Sequence, residues 1–195
     1  AGGVPFAYKD YEDLYSKMDG EAGAYINTVY EKYGIKRLDT FPNGLQHLAN
    51  NKREVKTVAD MANLKMRAYG DTQMKLQRAF GADPVNMSWS ELYSALQTGT
   101  VDGLDNAVFN YTNQGITDII THITEINYCY SGGCFIAGAP FWNKLDDADK
   151  AIFAECAQTA SDEFTKFFRE KTDSMMKDGV AKGQWTVDQP SDAMK

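Results

Sequence analysis

Apolar side chains along this chain recur mostly at helical spacing. Tyr11, Leu14, Tyr15 and Met18 fall at i, i+3, i+4 and i+7. Ala22, Tyr25, Ile26, Val29, Tyr30 and Tyr33 repeat the pattern up to Gly34, where a helix stop is expected. Ser88 and Glu91 have capping-box spacing, which predicts a helix through Leu92, Tyr93 and Leu96 with Gly99 as its stop. Asp146 is placed to cap a much longer helix, whose buried stripe is expected to be Ile152, Phe153, Cys156, Ala160, Phe164, Phe167 and Met175. Asp147 and Asp149 would complement the dipole of its first turn. Between the helices the period drops to two. Leu64, Met66 and Ala68 alternate with Lys65, Arg67 and Tyr69, predicting a strand with a core face and a polar face that presents the arginine. Val85 to Met87, Val101 to Leu104 and Cys134 to Ala137 are further strand candidates. Alternating helices and strands make an α/β fold, whose ligands belong outside the carboxyl ends of the strands.

Composition narrows the function classes. The chain has 195 residues, 43% hydrophobic and 24% charged, which suits one large globular domain or two small ones. Lys and Arg number 20 against 27 Asp and Glu, a net charge of −7, and no basic stretch interrupts the chain. That argues against nucleic acid or an anionic membrane as partner. The longest apolar runs, such as Cys134 to Pro140, are too short to span a bilayer. The opening Ala-Gly-Gly-Val-Pro-Phe has neither the charged nor the apolar region of a signal peptide.

Catalytic motifs are missing. There is no G-x-S-x-G, Walker loop, G-x-G-x-x-G, H-E-x-x-H or C-x-x-C, and no cofactor or metal is implied. His47 and His122 lie far apart in sequence, and nothing nominates either for a triad. Asp102 and Asp105 could be paired carboxylates for acid–base work, but a polar turn after a strand is the favoured reading. Asp146, Asp147 and Asp149 read as a helix N-terminus rather than a metal site.

Three segments, in order, carry a resemblance. They are Asn43-Gly44-Leu45-Gln46 with Asn50-Asn51-Lys52-Arg53, then Asp60 to Arg67, then Ser90 to Asn106 with its V-D-G-L-D-N ending. Together they resemble the solute-binding subunit of tripartite ATP-independent periplasmic (TRAP) transporters, of the C4-dicarboxylate-binding (DctP) type. Phe141 to Leu145, ahead of the long helix, is also similar to that family. The resemblance implies a two-lobed periplasmic-binding-protein-like α/β fold, with crossing strands and one long helix spanning both lobes. It implies residues 1–43 plus 133–169 as part of lobe one, and 44–132 plus 170–195 as lobe two. Val4-Pro5-Phe6 resembles the family's first crossing region, and the family continues beyond Gln184 to Val187, so the chain is expected to be an internal fragment. The absent signal peptide then says nothing of compartment, and the implied one is the periplasm.

The family's binding residues carry over one at a time. Arg67 stands where the family places its carboxylate-binding arginine, and a guanidinium suits that role with its planar pair of donors and permanent charge. Asn106 matches the asparagine that donates to the same acid, and Trp89 the aromatic residue against the ligand. Tyr69, and Tyr128 or Tyr130 near a crossing strand, are further candidates to line the cleft. Several positions depart from the pattern. Gln46 occupies a site where many members carry a second arginine, Asn63 replaces a glycine, and Glu54 stands where a proline is common. A glutamine can hydrogen-bond a carboxylate but brings no charge against desolvation of a second anion. The expected ligand is therefore an organic acid with one carboxylate, delivered to TRAP membrane subunits. A ligand sensor without a transporter is the alternative, and a hydrolase or lyase using Asp102 or Asp105 a more distant one. Cys129 and Cys134 either bridge across Gly132 and Gly133 or stay reduced on an extended segment, and Cys156 is expected to be a buried, inert thiol.

Overall fold

The computed structural model describes residues 5–113 and 115–194. Two helices open the chain, α1 (Tyr11–Asp19) and α2 (Glu21–Lys32), followed by the long strand β1 (Ile35–Asn50). Short elements alternate next: β2 (Lys65–Ala68), α3 (Asp71–Ala79), β3 (Asp83–Asn86), α4 (Leu92–Gln97), β4 (Gly103–Asn106) and α5 (Phe109–Asn113). A second long strand, β5 (His122–Gly138), leads through α6 (Ala139–Trp142) into α7 (Asp147–Ala181), and β6 (Thr186–Asp188) follows. Local chemistry accounts for the helix ends. The Asp13 and Asp149 amides donate to the side chains of Asp10 and Asp146, each at 2.8 Å. Gly34 ends α2 at φ +70°, a conformation that costs other residues a steric penalty.

The chain divides into two compact units, Ala1–Gly44 with Cys129–Glu170 and Leu45–Tyr128 with Lys171–Lys195. In the first, Phe41 stacks against Phe135 at 5.1 Å and Phe164 at 5.5 Å, and Leu14 and Phe168 are buried. In the second, the strands add to a six-stranded sheet of order β3-β2-β4-β1-β5-β6. β2 is parallel to both β3 and β4, β1 is antiparallel to β4, and β6 is parallel to β5. Leu92 and Leu96 of α4 pack with Val101, Leu104, Tyr111, Ile116, Ile120 and Ile123 as its core. Glycine at 103 is a matter of space, since a Cβ there would collide with the Ala49 carbonyl across the β1–β4 ladder. Among the described residues no helix is long and apolar enough to cross a membrane.

Several expectations need correction. β4 begins at Gly103 rather than Val101, so Asp105 lies inside a strand and not in a polar turn. Cys134 to Ala137 is only the end of a 17-residue strand. On α7 the buried positions are Ala157, Ser161, Phe168 and Gly179, while Ile152 is 57% exposed and Phe153, Cys156 and Phe167 are exposed too. Three of the four buried residues are small, and the rings of Phe153 and Phe167 turn out. Cys156 is therefore an exposed thiol, not a buried one. Cys129 and Cys134 form no disulfide, because five residues of extended β5 separate them by about 16 Å. Pro5 and Phe6 form a turn, and Val4 lies outside the described residues.

Candidate functional site

Arg67 projects from β2, an interior strand flanked by β3 and β4. The alternation Leu64, Met66, Ala68 is buried as expected and Lys65 is exposed, but Arg67 is only 4% exposed, so it does not stand on a polar outer face. The Tyr69 and Trp89 rings lie against it and cover it. Its Nε–H donates to the Met87 carbonyl at 3.3 Å. That carbonyl is fixed in turn, because the Met87 amide donates to Ala68 at 3.1 Å as the chain leaves β3. The guanidinium carbon lies 5.0 Å from the Tyr69 ring centroid and 5.4 Å from that of Trp89. Trp89 opens a short 3₁₀ turn held by Ser88, whose amide and hydroxyl donate to the Glu91 carboxylate at 3.0 and 2.7 Å. Neither terminal nitrogen of Arg67 has an acceptor among the described residues. Burial pulls the guanidinium pKa down from its ordinary value, and the Asp105 carboxylate opposes that shift.

Of the other expected residues, Trp89 and Tyr69 touch Arg67, Gln46 and Tyr128 connect to it through Tyr69, and Asn106 shares its face. Tyr69, 53% exposed, packs on the guanidinium and accepts from Gln46 Nε2 at 3.4 Å. Gln46 is buried, and its Oε1 accepts from the Tyr128 hydroxyl at 3.0 Å. Tyr128 is itself buried, so it orders Gln46 from behind. Asn106 follows from strand register: Met66 pairs with Gly103, which sets Arg67 level with Leu104 and on the face that carries Asn106. Asn106 Oδ1 accepts from the Ala107 amide at 2.8 Å and from Asn110 at 2.9 Å, and its own NH₂ group has no acceptor among the described residues. His47 pairs with Asn106 across the β1–β4 ladder and is held neutral, burial pushing its pKa down to about 4. Tyr130 belongs to the other unit.

The burial of Asp105 together with Gln73 and Gln77 was missed. Asp105 is fully buried, and its Oδ1 accepts from Gln73 and from Gln77, the latter at 3.2 Å. Gln77 also donates to the Arg67 carbonyl at 2.9 Å. Burial pushes the Asp105 pKa up to about 6, against the lowering influence of these bonds and of Arg67. The available signal was two glutamines four apart on α3, one helical face, beside a strand carrying Asp two residues after Gly103. Asp102 is occupied elsewhere, accepting from the Lys65 amide at 3.0 Å and facing Lys52 at 3.5 Å. Among the described residues no group of His, Cys, Asp and Glu could hold a metal ion.

Residues 3–195 match the bacterial extracellular solute-binding proteins, family 7 (DctP). The chain belongs to this family. The solute-binding protein is 34% identical over 180 residues to the C4-dicarboxylate-binding periplasmic protein DctP of Rhodobacter capsulatus, covering 90% of this chain and 54% of that one. A TRAP periplasmic solute-binding protein from Roseobacter denitrificans, with bound β-D-glucuronate, superposes with TM-score 0.91 at 25% identity, covering 97% and 63% of the two chains. One from Sulfurospirillum deleyianum, with bound succinate, superposes with TM-score 0.86 at 27% identity over 99% and 64%. The solute-binding protein thus spans between half and two thirds of the length of these relatives. Its fold is the two-lobed α/β fold of that group, and these relatives are named as binding proteins.

Proposed function

We propose that this protein works in the periplasm as a TRAP solute-binding protein, capturing an organic acid by its carboxylate on Arg67 for delivery to membrane subunits. The observation that carries the reading is the guanidinium itself. It is desolvated, oriented by Met87 and walled by Tyr69 and Trp89, yet both terminal nitrogens await an acceptor. A carboxylate supplies two oxygens in one plane, the partner such a fork matches. The free NH₂ of Asn106 supplies a further donor on the same face.

A ligand with one carboxylate and a polar or aromatic body is favoured. Gln46 carries no charge and is engaged by Tyr128 and Tyr69, and His47 is neutral above about pH 4. Among the described residues of this unit, no second cation is bonded to the Arg67 cluster to offset burial of a second carboxylate. The relatives include proteins with glucuronate and with succinate bound, so the family accommodates both classes. A thermal-shift panel tests the choice: glucuronate and other monocarboxylates should raise Tm more than succinate, malate or fumarate. Tightest binding of a C4-dicarboxylate would overturn the monocarboxylate preference, and no response to any acid would overturn the function.

A further inference from the structure

Asp105 is the neighbour of Asn106 on β4 but lies on the other face of the sheet. Met66 pairs with Gly103, so Asp105 stands level with Ala68, while Arg67 and Asn106 share the opposite face. A ligand on Arg67 is out of its reach. Asp105 is fully buried, and Gln73 and Gln77 of α3 both donate to its Oδ1. The two glutamines do not end there. Gln73 Oε1 accepts the Tyr69 amide at 2.8 Å, and Gln77 Nε2 also donates to the Arg67 carbonyl at 2.9 Å. One carboxylate is thus joined, through two side-chain amides, to the backbone on either side of Ala68. Those flanking residues carry the guanidinium and the ring packed on it.

The chemistry of the carboxylate sets the direction of each bond. An ionised carboxylate oxygen only accepts, so Gln73 turns its NH₂ group toward Asp105 and its carbonyl toward the Tyr69 amide. A rotated Gln73 would oppose donor to donor at Tyr69 and acceptor to acceptor at Asp105. Gln73 and Gln77 are buried, so a bond lost here is not exchanged for one to solvent. Tyr69 depends on this most. β2 ends at Ala68, so the Tyr69 amide lies beyond the strand ladder and gives its hydrogen bond to Gln73 instead. A recognition group is held closely only when its supporting shell is itself held, and Asp105 is the fixed point of this one.

We infer that Asp105 is a positioning residue: through Gln73 and Gln77 it fixes the Arg67–Tyr69 backbone, and so the guanidinium and its covering ring, for an incoming carboxylate. This role rests on Arg67 being the acid-binding residue. Amide exchange followed by NMR, with calorimetry against D-glucuronate and succinate, tests it on the full chain. Gln73→Met keeps a side chain of similar length and removes both of its bonds. Without ligand it should speed exchange of the Tyr69 amide by about tenfold or more, the share of one hydrogen bond. It should also weaken whichever acid binds the parent severalfold. Asp105→Leu should do the same, and Asp105→Asn, which keeps an acceptor oxygen for the glutamines, should return both values toward those of the parent. That rescue, with exchange that rises at Tyr69 but not at the ladder amides of β2, separates positioning from a general loss of stability. Gln73→Met decides the matter even if Asp105→Leu does not fold. Tyr69 exchange unchanged in Gln73→Met, or faster exchange with no loss of acid affinity, would overturn the role while Arg67→Ala still weakens binding. Retained affinity in Arg67→Ala, or a parent that binds neither acid, would overturn the reading of Arg67 and this role with it.

Discussion

Replacing Arg67 should separate binding from stability in opposite directions. The side chain is 4% exposed, its Nε–H is committed to Met87, and its terminal nitrogens face no protein acceptor. A bound carboxylate would gain two charge-assisted hydrogen bonds, each worth about 1.5–3 kcal/mol, from a cation already stripped of water in the folded state. Some of this returns when solvent fills the space left by truncation. The net loss for Arg67→Ala is therefore about 2–5 kcal/mol, the range seen when one member of a buried charge pair is removed. That is roughly 30-fold to several thousand-fold in Kd, within reach of titration calorimetry. Arg67→Lys should not restore binding, because an ammonium cannot form two parallel bonds in one plane. Without ligand the logic inverts. Arg67 has no salt bridge among the described residues, so its buried charge weighs against folding. Arg67→Met keeps an aliphatic body against Tyr69 and Trp89 and should hold or raise the ligand-free Tm. Unchanged ligand affinity in the Ala or Lys variant, or a Tm for Arg67→Met several degrees below that of the parent, would refute the reasoning.

Three further outcomes are expected. His47, with its pKa depressed from 6.5 to about 4, stabilises the fold above pH 6.5 and loses that contribution as pH falls through 4; Asp105, raised from 3.8 to about 6, stabilises below 3.8 and loses its contribution as pH rises through 6. The two nearly cancel, so urea titrations of Asp105→Asn should show about 3 kcal/mol more acid destabilisation between pH 6.5 and 4 than the parent, and parallel curves would contradict both assignments. Thiol titration should find three free thiols in the unfolded chain, with Cys156 reacting fastest in the native protein and Cys129 slowest; a single thiol on unfolding without reductant would contradict the extended β5. Gln46→Arg should improve succinate affinity relative to a monocarboxylate of similar size, and an unchanged ratio in competition calorimetry would mean that position 46 does not set ligand charge.

Helices were legible where local chemistry closes on itself. The ends of α2 and α4, and the Asp146 cap of α7, follow from residues within a turn of each boundary. The long strands were not legible. In β1 the first seven residues are half-buried without alternation, and Asp39, Pro42, Asn43 and Gly44 carry little strand propensity. In β5, Ser131-Gly132-Gly133 permits a tight reversal, yet it continues extended, and the lack of a side chain at 133 leaves room for the Phe41 ring. The phase of α7 misled because its buried stripe runs through Ala157, Ser161 and Phe168 rather than through Ile152, Phe153 and Phe167. Arg67 was legible through the motif around it, but its burial was not, since the covering ring of Trp89 arrives from 22 residues downstream.

The arrangement around Asp105 explains how an arginine can stay both buried and available. A carboxylate buried in the same sheet is the natural partner for Arg67, and a bidentate pair between them would occupy both terminal nitrogens. Strand alternation prevents this, since Asp105 lies on the face opposite Asn106 and Arg67, where Gln73 and Gln77 hold its Oδ1 with neutral amides from α3. Neutral donors satisfy the carboxylate oxygen without supplying a charge, which is why burial still raises its pKa to about 6. Asp105 then offsets part of the desolvation of Arg67 through the field alone, with no hydrogen bond between them to be broken. An incoming carboxylate need not displace an internal partner, so the two bonds it forms count almost in full toward affinity. The cost stays in the folded protein, as an arginine without a salt bridge and a carboxylate that protonates near pH 6. Such a sheet gives up stability to keep a cation ready, an arrangement that serves recognition of anions and contributes nothing to holding the fold together.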